Sequence, residues 1–546
     1  MDLDIPPWVE RIRGASPVLL IAPHGGRRPD CSELDATAPR KANDLGTAEL
    51  TAELARRAGA EAIVNHGQDR NTLDLNRVSH VRRGASWLLD LLLANLREQI
   101  DRRGEARVFF IHGWNAIQAS CDVGIGVRLE GDRMVPVRGG VPTVPARFLP
   151  ALLRFAARCG ADGIEVTFGD RYPAAARENV LQVFTARYTD DRDPRIRELA
   201  ALGAEGKVAA VQLELGVPLR WPGAIRDRFV DGVLSLLAAE AGDGAIPAAT
   251  LPPTSTPGHG SPQRLTLEFH DAANGIGGFA GIERSVGGRR HARLLLCLGR
   301  SRLGLFTGEH PTGNGHPLSC AGLRWTESGA HRLELEYDGP FLLFERNDPF
   351  LDLESGLAGA SLTSLRARLR WTAPELSRPS LGIGRPGRLC GEVQVGDSRL
   401  SVDAPSVLGP ILLPSPPPSW RERRVVHVPF DEGTAVTVVS HAGAEETAGG
   451  EVIRGGAPEP VLSSRVQVRN LADGRTPDAW RIEAVSRSGP LRIFGQVTSA
   501  VPVVRPSGDG RVLTFFGLAR FRCGERTGHG TFELSRRIET PAPATG

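Results

Sequence analysis

One change of texture governs what this chain can fold into. Up to about residue 245, short apolar runs alternate with stretches of helical periodicity. Beyond about residue 262 the period drops to two, in short runs separated by Gly-rich turns. Between them, residues 246–262 (IPAATLPPTSTPGHGSP) are dominated by Pro, Thr, Ser and Gly and read as a linker. A chain of 546 residues also exceeds the roughly 250–300 at which a single core stops growing. The expectation is a multidomain protein, α/β before the linker and all-β after it.

In the first part, SPVLLIAPH reads as a buried strand, TAELTAELARRAG as a helix with Leu50 and Leu54 on one face, and AEAIVNH as a second strand. A long helix over ASWLLDLLLANLREQIDRRG, a third strand in ARVFFIHGW and a late apolar strand in KVAAVQLELG follow. Strands alternating with helices point to a mostly parallel sheet covered on both faces, whose ligands bind at the carboxyl ends of the strands. The polar residues that end the strands are therefore the candidates for chemistry.

His24 ends the first strand in APHGG, and His112 ends the third in FFIHGWN. Asp44 precedes the helix of TAELTAELA, LDLNR spans 73–77, and Glu214 lies in VQLELG. Two histidines and a carboxylate at strand ends can give zinc three ligands and leave the fourth position open, as hydrolysis requires. A further buried carboxylate can take a proton from water and pass it to a leaving amine. Asn76 and Arg77 together offer a planar clamp for a substrate carboxylate, with Arg70 as a further substrate-binding candidate. His66 reads as structural and Asp122 as a turn former, while Tyr188 is a candidate pocket residue.

The order PHGG (23–26), ND (43–44), LDLNR, IHGWN (111–115) with DVGIG (122–126), then LEL (213–215) resembles the N-formylglutamate amidohydrolase family over about residues 15–225. The same motif order occurs in zinc carboxypeptidases. The resemblance implies an α/β domain of the zinc-carboxypeptidase/phosphorylase-hydrolase type at 1–245. It further implies zinc on His24 and His112, a carboxylate clamp of Asn76 and Arg77, and Glu214 as general base. It departs at Arg27, where carboxypeptidases carry their metal carboxylate, so the third ligand must come from Asp30, Glu33 or Asp44. Asp44 is favoured, with Glu33 the alternative. The implied activity is hydrolysis of an amide bond in an N-acyl amino acid or small peptide-like substrate bearing a carboxylate.

After the linker, RLTLEFH, HRLELEYDGPFLLFE, LRIFGQVTS and RVLTFFGLARF alternate apolar and polar residues as antiparallel strands do. A Pro-rich break at 407–420 separates a half at 263–406 from one at 421–546. These halves, with FLLFERNDPF and ERTGHGTFELSRR, resemble the tandem lipocalin-like proteins related to carotenoid hydratases, which implies two β-barrels and a hydrophobic ligand. Glu345, Asp348 and His529 are then candidate cavity residues. The competing functional reading is a lipocalin-like hydratase, isomerase or ligand binder with an accessory N-terminal domain.

Composition narrows the partners. Charged residues make up 24% of the chain and the net charge is +3, with basic and acidic residues interspersed, so no nucleic-acid partner is expected. Nearly all basic residues are Arg, Lys occurring only at 41 and 207, which reads as a coding bias. Seven scattered cysteines without a CxxC pair suggest neither a disulfide scaffold nor a cysteine metal site. The first residues lack a signal-peptide core, and no run approaches the ~18 apolar residues of a membrane span. A cytoplasmic protein acting on a small molecule is expected.

Overall fold

A computed structural model describes residues 5–27, 40–131, 133–137, 139–239, 264–285, 289–311, 318–329, 331–373, 384–409, 419–431, 433–443, 447–455, 457–507 and 510–538. The expected linker at 246–262 and the alternative ligand Glu33, with Asp30, lie outside these described residues. The chain divides near residue 255 into two compact units.

In the first unit the elements run β1 (Val9–Ile12), β2 (Val18–Ala22), α1 (Thr47–Ala58), β3 (Glu61–Asn65), α2 (Val78–Gly84), α3 (Ser86–Arg103) and β4 (Ala106–Gly113). There follow β5 (Ser120–Gly124), β6 (Val127–Glu130), β7 (Arg133–Pro136), α4 (Leu149–Ala161), β8 (Glu165–Phe168), α5 (Pro194–Ala204), β9 (Val208–Leu215) and α6 (Ala224–Ala238). Seven strands form one sheet in the order β1-β3-β2-β4-β9-β5-β8. The centre, β3-β2-β4-β9, is parallel, while β1 on β3 and β5 on β9 are antiparallel.

Alternation along the strands divides the core into two layers. Val18, Leu20 and Ala22 of β2 pack with Leu50, Leu54, Phe155 and Phe229 of α1, α4 and α6. Leu19 and Ile21 face the other way, against Leu88, Leu92 and Leu199 of α3 and α5. Because β2, β4 and β9 are buried on both faces, their sequences are largely apolar. Polar side chains enter these strands at Arg107 of β4, at Gln212 within β9 and near the carboxyl ends at His112 and Glu214.

Among its described residues the second unit is all-β apart from a 3-10 turn at Pro349–Leu351 and one short helix, α7 (Leu353–Ala358). Its first sheet contains β10 (Arg264–Asp271), β11 (Ile276–Arg284), β12 (Arg289–Leu298), β13 (Arg302–Pro311), β14 (Ser319–Cys320), β15 (Leu323–Gly329), β16 (Arg332–Phe344), β17 (Ser361–Thr372), β18 (Arg385–Val395) and β19 (Ser398–Gly409). Two contacts close it: β10 pairs β19, and Leu303–Leu305 of β13 pair with Leu342–Phe344 of β16. Eight strands thus form a closed barrel, with β14 and β15 as an extra hairpin on β16. Val407–Gly409, placed in the Pro-rich break by sequence, are the last residues of β19; residues 410–418 are outside the description.

The second barrel closes through consecutive neighbours: β20 (Glu422–Asp431), β21 (Thr434–Ala442), β22 (Thr447–Arg454), β23 (Ala457–Asn470), β24 (Pro477–Ser486), β25 (Gly489–Ser507), β26 (Gly510–Cys523) and β27 (Arg526–Ile538). Its interior is filled by Val426, Val438, Trp480, Ile482, Phe515, Phe521 and Phe532. The two barrels meet through β10 and β11 on one side and β20, β26 and β27 on the other. There Thr531 Oγ1 donates to Glu268 Oε2 at 2.5 Å, and His270 and His529 lie edge to face at 5.3 Å.

Candidate metal centre

The parallel strands β2, β4 and β9 end side by side, and each ends on or next to a titratable residue. His24 follows β2 by two residues, His112 is the penultimate residue of β4, and Glu214 holds the same place in β9. Asp44 is brought in by the chain entering α1. Its amide donates to the His24 carbonyl at 2.8 Å, and its own carbonyl accepts from Thr47 N and Oγ1. Gly46 makes that entry possible: it adopts φ +80°, and a Cβ there would lie 3.2 Å from the Arg220 carbonyl.

The three candidate ligands converge. His24 Nδ1 lies 3.2 Å from Asp44 Oδ2, and His112 Nδ1 lies 3.1 Å from the same oxygen. The other Asp44 oxygen, Oδ1, accepts from Arg70 Nη1 at 2.9 Å. The remaining nitrogen of His24, Nε2, donates to Asp74 Oδ1 at 2.6 Å. His24, Asp44 and His112 are all buried. Among the described residues they form the one cluster of three or more His, Cys, Asp or Glu side chains able to share a cation.

This donor set fits zinc. Two imidazole nitrogens and one carboxylate oxygen are among its usual ligands; the two His–Asp contacts of 3.1–3.2 Å are close to the ~3.3 Å edge of a tetrahedron with ~2.0–2.1 Å arms, and all three donor atoms lie within 4.8 Å of one another. The charge balance fits as well. His24 carries a carboxylate at each ring nitrogen, and a second carboxylate contact to Asp44 comes from His112. A neutral His24 has one ring proton and cannot donate to both carboxylates. A cation on the Nδ1 side satisfies Asp44 and leaves Nε2–H for Asp74, the arrangement that fixes and strengthens a metal-binding imidazole.

The electrostatics report the same crowding of charge. Burial alone would pull the His24 imidazole down, yet hydrogen bonds to Asp44 and Asp74 outweigh it and raise it. Burial opposes ionisation of Asp44, but the hydrogen bonds from His112 and His24 hold it well below the usual carboxylate range. His112 is pushed down to about 4 by burial, only partly offset by Asp44. Glu214 is pushed up to about 8, by burial first and then by the Asp44 charge.

Glu214 sits beside the cluster through strand register, opposite His112 across the β4–β9 pair. Its Oε1 accepts from Gln212 Nε2 at 2.8 Å, and Gln212 Oε1 accepts from Asn179 Nδ2 at 3.0 Å. Asn76 reaches the same Gln212 oxygen at 3.5 Å, while its own Oδ1 is buried with no hydrogen-bond partner among the described residues. Arg77 is largely exposed, with Nε 3.4 Å from Asp74 Oδ2. The structure therefore brings His24, Asp44, His112, Glu214, Asn76, Arg77 and Arg70 into one region, with Arg70 engaged on Asp44.

Other sequence candidates fall elsewhere. Asp122 is buried and accepts from Thr167 Oγ1 and from the amides of Asp170, Arg171 and Tyr172, so it pins the loop after β8. Tyr188 donates to the Arg177 carbonyl, and His66 pairs with Glu10 at the surface. Glu345 is exposed beside Arg302, and Asp348 is paired with Arg346. His529 lies on the outer wall of the second barrel rather than in a cavity, because residues flanking it in β27 alternate outward and inward and it falls on the outward set. Three contributors escaped sequence reading. Asp74 and Gln212 orient His24 and Glu214, and buried Arg220 donates to the carbonyls of Leu45 (2.6 Å) and Trp114 (2.8 Å), tying together the loops after Asp44 and His112.

No family model matches the chain, and no curated protein matches it. Solved structures do. Kievitone hydratase from Nectria haematococca is similar at 11% identity over 51% of this chain and 89% of its own, with a TM-score of 0.32. AttH from Nitrosomonas europaea is similar at 12% identity over 50% of this chain and 92% of its own, with a TM-score of 0.31. An N-formylglutamate amidohydrolase from Ralstonia eutropha JMP134 is similar at 12% identity over 42% of this chain and 94% of its own, with a TM-score of 0.28. The fold itself, an α/β unit followed by two closed eight-stranded barrels, is read from the strand pairings of this chain.

Proposed function

We propose that the first unit is a zinc-dependent amidohydrolase acting on an N-acyl amino acid or small peptide-like substrate that bears a carboxylate. The observation that carries this reading is the convergence of His24 Nδ1 and His112 Nδ1 on one oxygen of Asp44, with Glu214 next to His112 across the sheet. His24, Asp44 and His112 would hold the ion. When bound, zinc supplies a Lewis acid for the acyl oxygen and a positive charge that favours ionised water and ionised Glu214.

The side chains divide the remaining work. Glu214, steadied by Gln212, accepts a proton from the attacking water at a carboxylate oxygen. As the C–N bond breaks and the water oxygen bonds to the acyl carbon, it returns that proton to the leaving amine nitrogen. Arg77, exposed at the edge of the site, and Asn76, with its unpartnered Oδ1, bind the substrate: the guanidinium holds the carboxylate, and the amide takes a neighbouring polar group. Arg70 holds Asp44 so that only Oδ2 faces the two imidazoles.

The test is elemental analysis of the purified full chain and of a His24→Ala, His112→Ala variant, followed by a screen of N-acyl amino acids. About one zinc per chain, lost in the variant together with amide hydrolysis, supports the proposal. Absence of zinc after reconstitution, or hydrolysis that survives in the double variant, overturns it.

A further inference from the structure

Barrel alternation sends Trp480, Ile482, Ala484 and Ile493 of β24 and β25 into the core of the second barrel, so Arg481, Glu483, Val485, Arg492 and Phe494 point outward. That outer wall is unusual. Among the described residues, the large hydrophobic side chains that stand exposed are Leu462, Leu471, Val485 and Phe494, at 62%, 52%, 41% and 47%. All four fall between β23 and β25. Leu462 occupies the bulge between the Val461–Ser486 and Ser463–Val485 pairs, which places it beside Val485.

Arginines flank Phe494. Phe494 stands opposite Arg481 on one side and Arg522 on the other, and Arg465, Glu483 and Arg492 form the next row across three strands. Of the acidic groups nearby, Glu483 is engaged by Arg481 and Asp478 by Arg469, and Glu459 accepts from Ser488. Arg465, Arg492 and Arg522 have no salt-bridged carboxylate among the described residues. The first barrel packs on β20, β27 and the Phe516–Ala519 stretch of β26, whereas β23 and β24 lie across the strand circuit from β20 and β27.

Charge decides what can cover such a face. A second copy would set like charge against like charge, which opposes self-association. A single-stranded nucleic acid needs successive stacking rings, and here one phenylalanine is accompanied by aliphatic side chains. Aliphatic and aromatic groups interspersed with arginines match a bilayer surface, where phosphates meet the guanidinium groups and apolar side chains enter the headgroup–acyl boundary. We propose that the β23–β25 face of the second barrel, with Arg522 of β26 at its edge, docks peripherally on membranes containing anionic phospholipid. No helix among the described residues is long and apolar enough to cross a membrane, and surface docking requires none.

The experiment is co-sedimentation of the full chain with phosphatidylcholine vesicles made with and without phosphatidylglycerol, with a single-stranded RNA oligonucleotide as a separate probe. The expected result is binding to the phosphatidylglycerol vesicles alone, falling roughly tenfold at high salt and in Arg492→Glu, Arg522→Glu. Phe494→Ser lowers binding without changing the melting temperature, and Arg492→Lys, Arg522→Lys retains it. Absence of binding to phosphatidylglycerol vesicles, binding indifferent to the charge-reversal and Phe494 variants, or binding to the RNA in place of vesicles overturns the proposal.

Discussion

Glu214 stands directly opposite His112 in the parallel register of β4 and β9. Side chains facing each other across neighbouring strands share one side of the sheet, so the candidate base and a candidate ligand are held together by backbone hydrogen bonds rather than by their own contacts. Replacing either side chain should leave the strand pair intact. Loss of function at these positions is then interpretable as chemistry.

Glu214→Gln is the first such replacement. It keeps the volume and the partnership with Gln212 while removing the proton acceptor. With Glu214 as the general base, kcat for amide hydrolysis falls about 10²–10⁴-fold, while zinc content stays at the wild-type level. A kcat within a few-fold of wild type, measured beside metal analysis, would exclude Glu214 from proton transfer.

Asp74→Asn tests the contact behind His24. Its carboxylate accepts from His24 Nε2 at 2.6 Å and is held well below the usual carboxylate range, against burial, by that hydrogen bond. Zinc affinity, read by competition with a chromophoric chelator, should drop about 10–100-fold, the usual effect of losing such an orienting carboxylate. Unchanged affinity would mean that Asp74 does not position a ligand.

These two residues also mark the limit of what the sequence revealed. His24, His112 and Glu214 were legible because each is a polar interruption at or near the end of an apolar run, where a parallel sheet opens its binding edge. Asp44 was favoured over Asp30 and Glu33 as the acidic residue at the family-like position just before the first helix; its Oδ2 lies within 3.2 Å of both histidines, and Asp30 and Glu33 lie outside the described residues. The roles of Asp74 and Gln212 were not legible. Asp74 reaches a histidine 50 residues away, and Gln212 looks like one polar residue in a buried strand until its tie to Asn179 is seen. In the second unit, period-two alternation announced strands, but closure of the first barrel depends on a short pairing of β13 with β16, across the β14–β15 hairpin. Alternation carries no record of which strand is a neighbour.

Arg220→Met addresses stability in the first unit. The guanidinium is buried and donates to two loop carbonyls, those of Leu45 and Trp114, and a Cβ on Gly113 would collide with it at 2.4 Å. Methionine fills much of the space but donates nothing, leaving two acceptors in a water-poor environment. The expected loss is about 2–4 kcal/mol, measured by urea denaturation. A loss under 0.5 kcal/mol would show that the loops after Asp44 and His112 are held by other contacts.

The junction of the two barrels predicts a pH dependence of its own. His270 is pushed down to about 4, chiefly by burial and further by the neighbouring His529, although the Ala519 carbonyl lies 3.3 Å from its Nδ1 and favours a proton there. Its ordinary value is 6.5, so between pH 6.5 and 4 the unfolded chain binds more protons at this site than the folded one. Stability is therefore full above pH 6.5 and declines as the pH falls toward 4, by on the order of 3 kcal/mol if His270 acts alone. His270→Gln removes this titration. Its stability, followed by hydrogen exchange in β10 and β27, should vary less with pH over that window than the wild type's. Equal pH slopes in the two proteins would show that His270 is not the group that titrates.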